Sequence, residues 1–234
     1  MRHIQTDNLF ALVDATYPRR IEEIQIPSRP ELGRLTRLET VALVASMRVV
    51  RARRVFEVCA LRGTTTLNLA LNIPPDGSVL TLELNPDSAT QANQHHYVGL
   101  LSEIHMKTDG MDFVDGEVFD KITALRGNST SFEFGSWKNS MDLVFIQGCD
   151  DFEATNSVTE NAFSMIVKDK PTCVLWHNYR NASHSNFSAY LQKTSQEFPV
   201  FHIEDTNLWV HFNDPQQKIQ ARLQRKGNGM PLAA

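Results

Sequence analysis

The order of apolar and polar positions divides the chain into alternating helices and strands. The run "TRLETVALVASMRVV", Thr36 to Val50, sets Leu38, Val41, Ala42 and Met47 on one helical face. Thr36 and Glu39 have the spacing of a capping box, in which each side chain serves an orphan amide of the first turn. Short apolar runs at Arg54–Ala60, Ser78–Leu84, Met141–Gln147 and Thr172–His177 predict buried strands, and Ser102–Thr108 predicts another. Helical spacing predicts helices at Thr64–Leu71, around Val118–Leu125, at Ala154–Ile166 and at Asn186–Glu197. Asn85 and Pro86 suit the cap and first position of one more helix. Val200–Ile203 and Asn207–Phe212 predict a closing antiparallel pair. Before this body, residues 1–35 read as a short helix near Leu9–Val13 and an irregular arm, and residues 216–234 read as a polar, partly frayed tail. The domain proper is then 36–215.

Apolar strands separated by helices imply a mainly parallel sheet covered on both faces. Ligands of such sheets sit at the carboxyl ends of the strands. Here those ends are Glu57–Gly63, Glu83–Asn85, Arg126–Ser129, Gln147–Asp151 and His177–Arg180. The first of them, "VFEVCALRGTTTLNLA", is a strand, turn and helix in which Gly63 is the lone glycine and Cys59 stands where another is expected.

Composition narrows the function. The chain has 234 residues, 41% of them hydrophobic and 21% charged, which suits a soluble globular protein. Its net charge is −4, and it has no basic stripe, so nucleic acid is not an expected partner. The first twenty residues hold no continuous apolar core, and no later run reaches the ~20 residues that span a bilayer, so neither a signal peptide nor a membrane anchor is expected. Cys59, Cys149 and Cys173 are widely spaced with no CxxC pair, which argues against zinc and disulfides and for reduced thiols in the cytoplasm.

Six segments taken in order resemble the class I S-adenosylmethionine-dependent methyltransferases, nearest the bacterial small-molecule O-methyltransferase and cephalosporin-hydroxylase-like branch. They are "RRVFEVCALRGTTTLNLALN", "VLTLELNPD", "ITALRGNSTSFEF", "MDLVFIQGCDDFE", "VLWHNY" and "HIEDTNL", and together they cover roughly Thr36 to Phe212. The resemblance implies a three-layer αβα, Rossmann-like fold, with a mainly parallel seven-stranded sheet whose last strand is antiparallel. It implies S-adenosylmethionine as cofactor and a small molecule as substrate, and it leaves room for a homodimer. Glu57, Cys59, Ala60 and Gly63 would then lie beside the cofactor, with Thr65 at the helix start offering amides to its carboxylate. Glu83 would accept from the two ribose hydroxyls, and Asn128 and Ser129 would flank the adenine.

Several positions depart from the family pattern. Cys59 replaces a glycine, and Gln147 replaces an aspartate that binds magnesium in metal-dependent members. Asp150 replaces a histidine, and Asn128 and Asn178 each replace an aspartate. A neutral amide is a poorer ligand than a carboxylate for a hard dication, so no metal is expected. His177 and Asp150 are the candidate catalytic side chains. For His177 a general base and a hydrogen-bonded structural histidine are both open readings. For Asp150 the alternative is an exposed acidic loop capping the next helix. Two functions follow: metal-independent O-methyl transfer to a small molecule, or a catalytically degenerate or repurposed methyltransferase fold that binds a ligand or partner.

Overall fold

The computed structural model describes residues 2–16, 24–26, 35–60, 63–83, 116–147, 152–177 and 185–225. One eight-stranded sheet organises them. Its strands are β1 (Arg2–Ile4), β2 (Arg54–Val58), β3 (Ser78–Glu83), β4 (Ile122–Arg126), β5 (Leu143–Gln147), β6 (Thr172–His177), β7 (Val200–Ile203) and β8 (Leu208–Asn213). They lie in the order β1-β7-β8-β6-β5-β2-β3-β4. Every pairing is parallel except those of β8, which runs antiparallel to both β6 and β7. The expected closing antiparallel pair is therefore present.

Helices cover both faces, as strands buried on both sides require. Val55, Leu143, Phe145, Cys173 and Leu175 face one apolar cluster, which also takes in side chains of α1 (Thr6–Thr16), α2 (Arg37–Val49) and α3 (Thr64–Asn72). Phe56, Val58, Val144, Ile146, Val174 and Trp176 face the other, under α5 (Phe152–Met165) and α6 (Ser185–Glu197). Adjacent residues thus alternate between two cores, the period of two that a pleated strand dictates. Trp176 is fully buried, and its indole N–H donates to Thr159 Oγ1 at 3.0 Å, so its single polar group is satisfied.

The capping box at the start of α2 forms as expected. The Thr36 amide donates to Glu39 Oε2 at 2.7 Å, and the Glu39 amide donates to Thr36 Oγ1 at 3.2 Å. The buried face of this helix differs from the expected one. Leu38 is 36% exposed, while nearly everything from Glu39 to Val49 is buried. The reason is that α2 is packed by the sheet, α1 and α3 together, so a single stripe does not describe it.

Three readings are corrected. The segment expected as a helix at Val118–Leu125 is a short helix, α4 (Gly116–Phe119), followed by the strand β4. Val118, Phe119, Ile122 and Leu125 have helical spacing, but pairing of Ile122–Arg126 with Val79–Glu83 overrides it. The N-terminal arm contains a strand, β1, which pairs with β7 and makes the sheet eight strands rather than seven. The tail expected to fray holds α7 (Lys218–Arg225), whose Ile219 and Leu223, one turn apart, join the same core as Leu9 and Leu12 of α1. The strand expected at Ser102–Thr108 and the cap at Asn85–Pro86 lie outside the described residues. Among the described residues no helix is long and apolar enough to cross a membrane.

Candidate functional site

The carboxyl ends of β2, β3, β5 and β6, the central strands, lie at one edge of the sheet, and the loop after β2 opens it. Cys59 follows β2 with φ 63°, the left-handed conformation that the expected glycine would take without strain. The backbone therefore keeps the glycine shape although the residue is cysteine. The Cys59 thiol donates to Ser129 Oγ at 3.3 Å, joining the first loop to the turn after β4. The Ala60 amide donates to Leu82 O at 3.0 Å, which anchors the same loop to β3.

Gly63 caps α3 with φ 69° and supplies no side-chain hydrogen bond to the first turn. A helix start without a side-chain cap leaves amides and the positive end of the helix dipole for an anion. Thr65 is buried in that first turn. Such a helix start would suit the amino-acid carboxylate of S-adenosylmethionine.

Glu57 points into the α3 face of the sheet and is fully buried. Its Oε2 accepts from the hydroxyls of Thr66 at 2.5 Å and Thr81 at 3.0 Å, while Oε1 has no partner. Burial pushes its pKa up against the stabilising hydroxyls of Thr66 and Thr81, and the charge of Glu83 adds to the rise, to about 7. An unpartnered buried acceptor beside the loop is what a cofactor bearing an ammonium group would satisfy. Thr66 and Thr81 were not singled out by sequence, because an isolated threonine in a helix or strand carries no signal of its partner.

Glu83 ends β3 in a half-buried position, and its carbonyl accepts from the Gly127 amide at 2.9 Å. The ends of β3 and β4 are thus tied. Asn128 is exposed; its Oδ1 accepts from the amide of Thr130 at 3.0 Å and its hydroxyl at 2.8 Å. This Asx-type turn shapes the loop that carries Ser129.

Gln147 and His177 end neighbouring strands as register partners. Both are almost fully buried, and Gln147 Oε1 and His177 Nδ1 have no partner. On its other side His177 presents Nε2 to Glu39 Oε1 at 3.6 Å. Glu39 is held ionised. Burial alone would raise its pKa, but the side chain of His177, the amides of Thr36 and Asn207, and the charge of His177 together bring it to about 2. Sequence spacing identifies Glu39 as a cap only, since its partner in the site lies on a strand far along the chain. Asp150 and Asn178 lie outside the described residues. Among the described residues no three His, Cys, Asp or Glu side chains are grouped to hold a metal ion.

Solved structures share this architecture. An O-methyltransferase of Streptomyces achromogenes involved in tomaymycin synthesis, solved with S-adenosylmethionine, is 14% identical over 88% of both chains with a TM-score of 0.53. An O-methyltransferase from Bacillus cereus, in complex with S-adenosylhomocysteine, is 15% identical over 88% of this chain and 90% of its own, with a TM-score of 0.53. A methyltransferase from Geobacter sulfurreducens is 15% identical over 89% of this chain and 96% of its own, again with a TM-score of 0.53. At such identities the likeness establishes the fold. No curated protein matches the sequence. The family model of the O-methyltransferases matches residues 9–134, more than half of the chain. By that match and by its fold, the chain belongs to the O-methyltransferase family.

Proposed function

We propose that this protein transfers a methyl group from S-adenosylmethionine to a hydroxyl of a small molecule. The observation that carries the reading is the loop between β2 and α3 in a chain of this family. Its left-handed Cys59 and Gly63 and the uncapped start of α3 form a cradle for the cofactor's amino-acid end. The structures from Streptomyces achromogenes and Bacillus cereus, of the same fold, hold S-adenosylmethionine and S-adenosylhomocysteine.

When bound, the cofactor supplies a methyl group on a sulfonium, so the new C–O bond forms as the C–S pair returns to a neutral sulfur. The protein's share is alignment and proton removal. Glu83 accepts from the ribose hydroxyls, and Asn128 and Ser129 border the adenine. Cys59, Ala60, Gly63 and Thr65 form the cradle, with Glu57 and Gln147 as acceptors at its floor. His177 is the proton acceptor supported by its unpartnered Nδ1, with Asp150 as the second candidate. The neutral Gln147 supports a version of the reaction that needs no metal. A cytoplasmic location and a homodimer accompany this reading. Nothing in the site favours the alternative of a degenerate or repurposed fold.

The test is turnover. Incubation with S-adenosylmethionine and a panel of phenolic and aliphatic alcohols should yield, for some member, a product heavier by one methylene together with S-adenosylhomocysteine. Cofactor binding without methylation of any nucleophile class would refute the proposal.

A further inference from the structure

His177 is buried against the carboxylate of Glu39 on α2. The Glu39 carboxylate accepts three hydrogen bonds, from the Thr36 amide at 2.7 Å on Oε2 and from the Asn207 amide at 2.8 Å and side-chain Nδ2 at 3.0 Å on Oε1, and His177 Nε2 faces the same Oε1 at 3.6 Å, an electrostatic contact just beyond hydrogen-bond distance. An ionised carboxylate only accepts, and three donors converging on it suit that form. Two of these bonds hold Asn207, next to the start of β8, so the carboxylate is fixed from the sheet as well as from its own helix. Its orientation toward His177 is therefore set before any ligand arrives.

We propose that Glu39 is the positioning residue of His177. In the uncharged ring it favours the tautomer with the proton on Nε2, which faces the carboxylate, so that Nδ1 is left as an acceptor. Nδ1 lies on the strand next to Gln147, whose Oε1 is likewise buried without a partner. Two unmade acceptors this deep are costly unless a ligand supplies donors. The ligand that Nδ1 fits is a neutral hydroxyl compound, which donates its single hydroxyl proton there. Its identity as the methyl acceptor rests on the function proposed above. In the step this implies, the O–H bond of the bound hydroxyl breaks and its proton passes to Nδ1. The oxygen keeps the electron pair for the bond to the methyl group that the cofactor supplies. The imidazolium so formed has its positive charge offset by the Glu39 carboxylate.

Glu39 also caps α2, and a purely structural role must be separated from this one. The first measurement uses the wild-type protein without ligand. Two-bond nitrogen–proton NMR correlations of His177, assigned by their loss in His177→Asn and recorded where the ring is neutral, should show hydrogen on Nε2 and none on Nδ1. A ring protonated on Nδ1 would overturn the proposal, and this readout does not depend on activity. The second is a double-mutant cycle of Glu39→Ala and His177→Asn, read as kcat with S-adenosylmethionine affinity measured alongside. Glu39→Ala alone should lower kcat about tenfold or more, as loss of an orienting partner does, with cofactor affinity unchanged. In the His177→Asn background it should lower kcat no further. Equal losses in both backgrounds would show that Glu39 acts only through the fold. Loss of cofactor binding in the wild type would count against the methyl-transfer reading and leave the tautomer result standing.

Discussion

Glu57→Gln isolates the energetic cost of the buried acid under the cofactor loop. Glutamine has nearly the same volume, and its oxygen can accept from Thr66 and Thr81 as Oε2 does now. What changes is the charge. In the folded protein burial raises the pKa of Glu57 to about 7, against 4.5 for an unperturbed glutamate. Between these values the folded state holds a proton that the unfolded chain has released. Wild-type stability therefore falls as pH rises through this window, whereas the glutamine variant has no such dependence. Each pKa unit is worth about 1.4 kcal/mol, so the interval amounts to about 3 kcal/mol. Urea unfolding of both proteins at pH 4 and at pH 8 measures it, since groups common to both cancel in the difference. The stability of Glu57→Gln relative to wild type should be higher at pH 8 than at pH 4 by about 2–3 kcal/mol. A difference that is flat across this range, or that moves the other way, would refute the account of Glu57 as a desolvated acid.

Other perturbations probe the rest of the site. Cys59→Gly should raise the thermal midpoint by an amount equivalent to about 0.5–1 kcal/mol, because relief at φ 63° exceeds the extra entropy of a glycine; a lower midpoint would mean that the thiol contact to Ser129 is worth more. Glu83→Ala should weaken S-adenosylmethionine binding by ~1–3 kcal/mol by calorimetry, the usual loss for a charged hydrogen-bond partner, and unchanged affinity would remove Glu83 from the ribose. Chelation with EDTA and re-addition of magnesium should leave turnover unaltered, whereas strict magnesium dependence would show that Gln147 does not mark loss of the metal.

The sequence was most legible where local and tertiary demands agree. The strands ending at Gln147 and His177 are continuous apolar runs buried on both faces, and the capping box of α2 is a local pattern with a local cause. β4 was not legible, because its spacing suits a helix and only pairing with β3 makes it a strand. α7 was hidden by its polar majority, since just Ile219 and Leu223 reach the core. At the candidate site, the turn at Cys59 and Gly63 is legible from its place between a strand and a helix, and both residues take the left-handed backbone. The hydroxyls that hold Glu57 and the carboxylate facing His177 were not found. Those contacts join residues distant in the chain, and no spacing rule records them.

The central claim is that the β2–α3 loop still cradles S-adenosylmethionine although cysteine replaces its first glycine. Isothermal calorimetry of the unsubstituted 234-residue chain with S-adenosylmethionine and S-adenosylhomocysteine tests it directly. Both should bind saturably at one shared site, each displacing the other. No binding of either at millimolar concentration would contradict it.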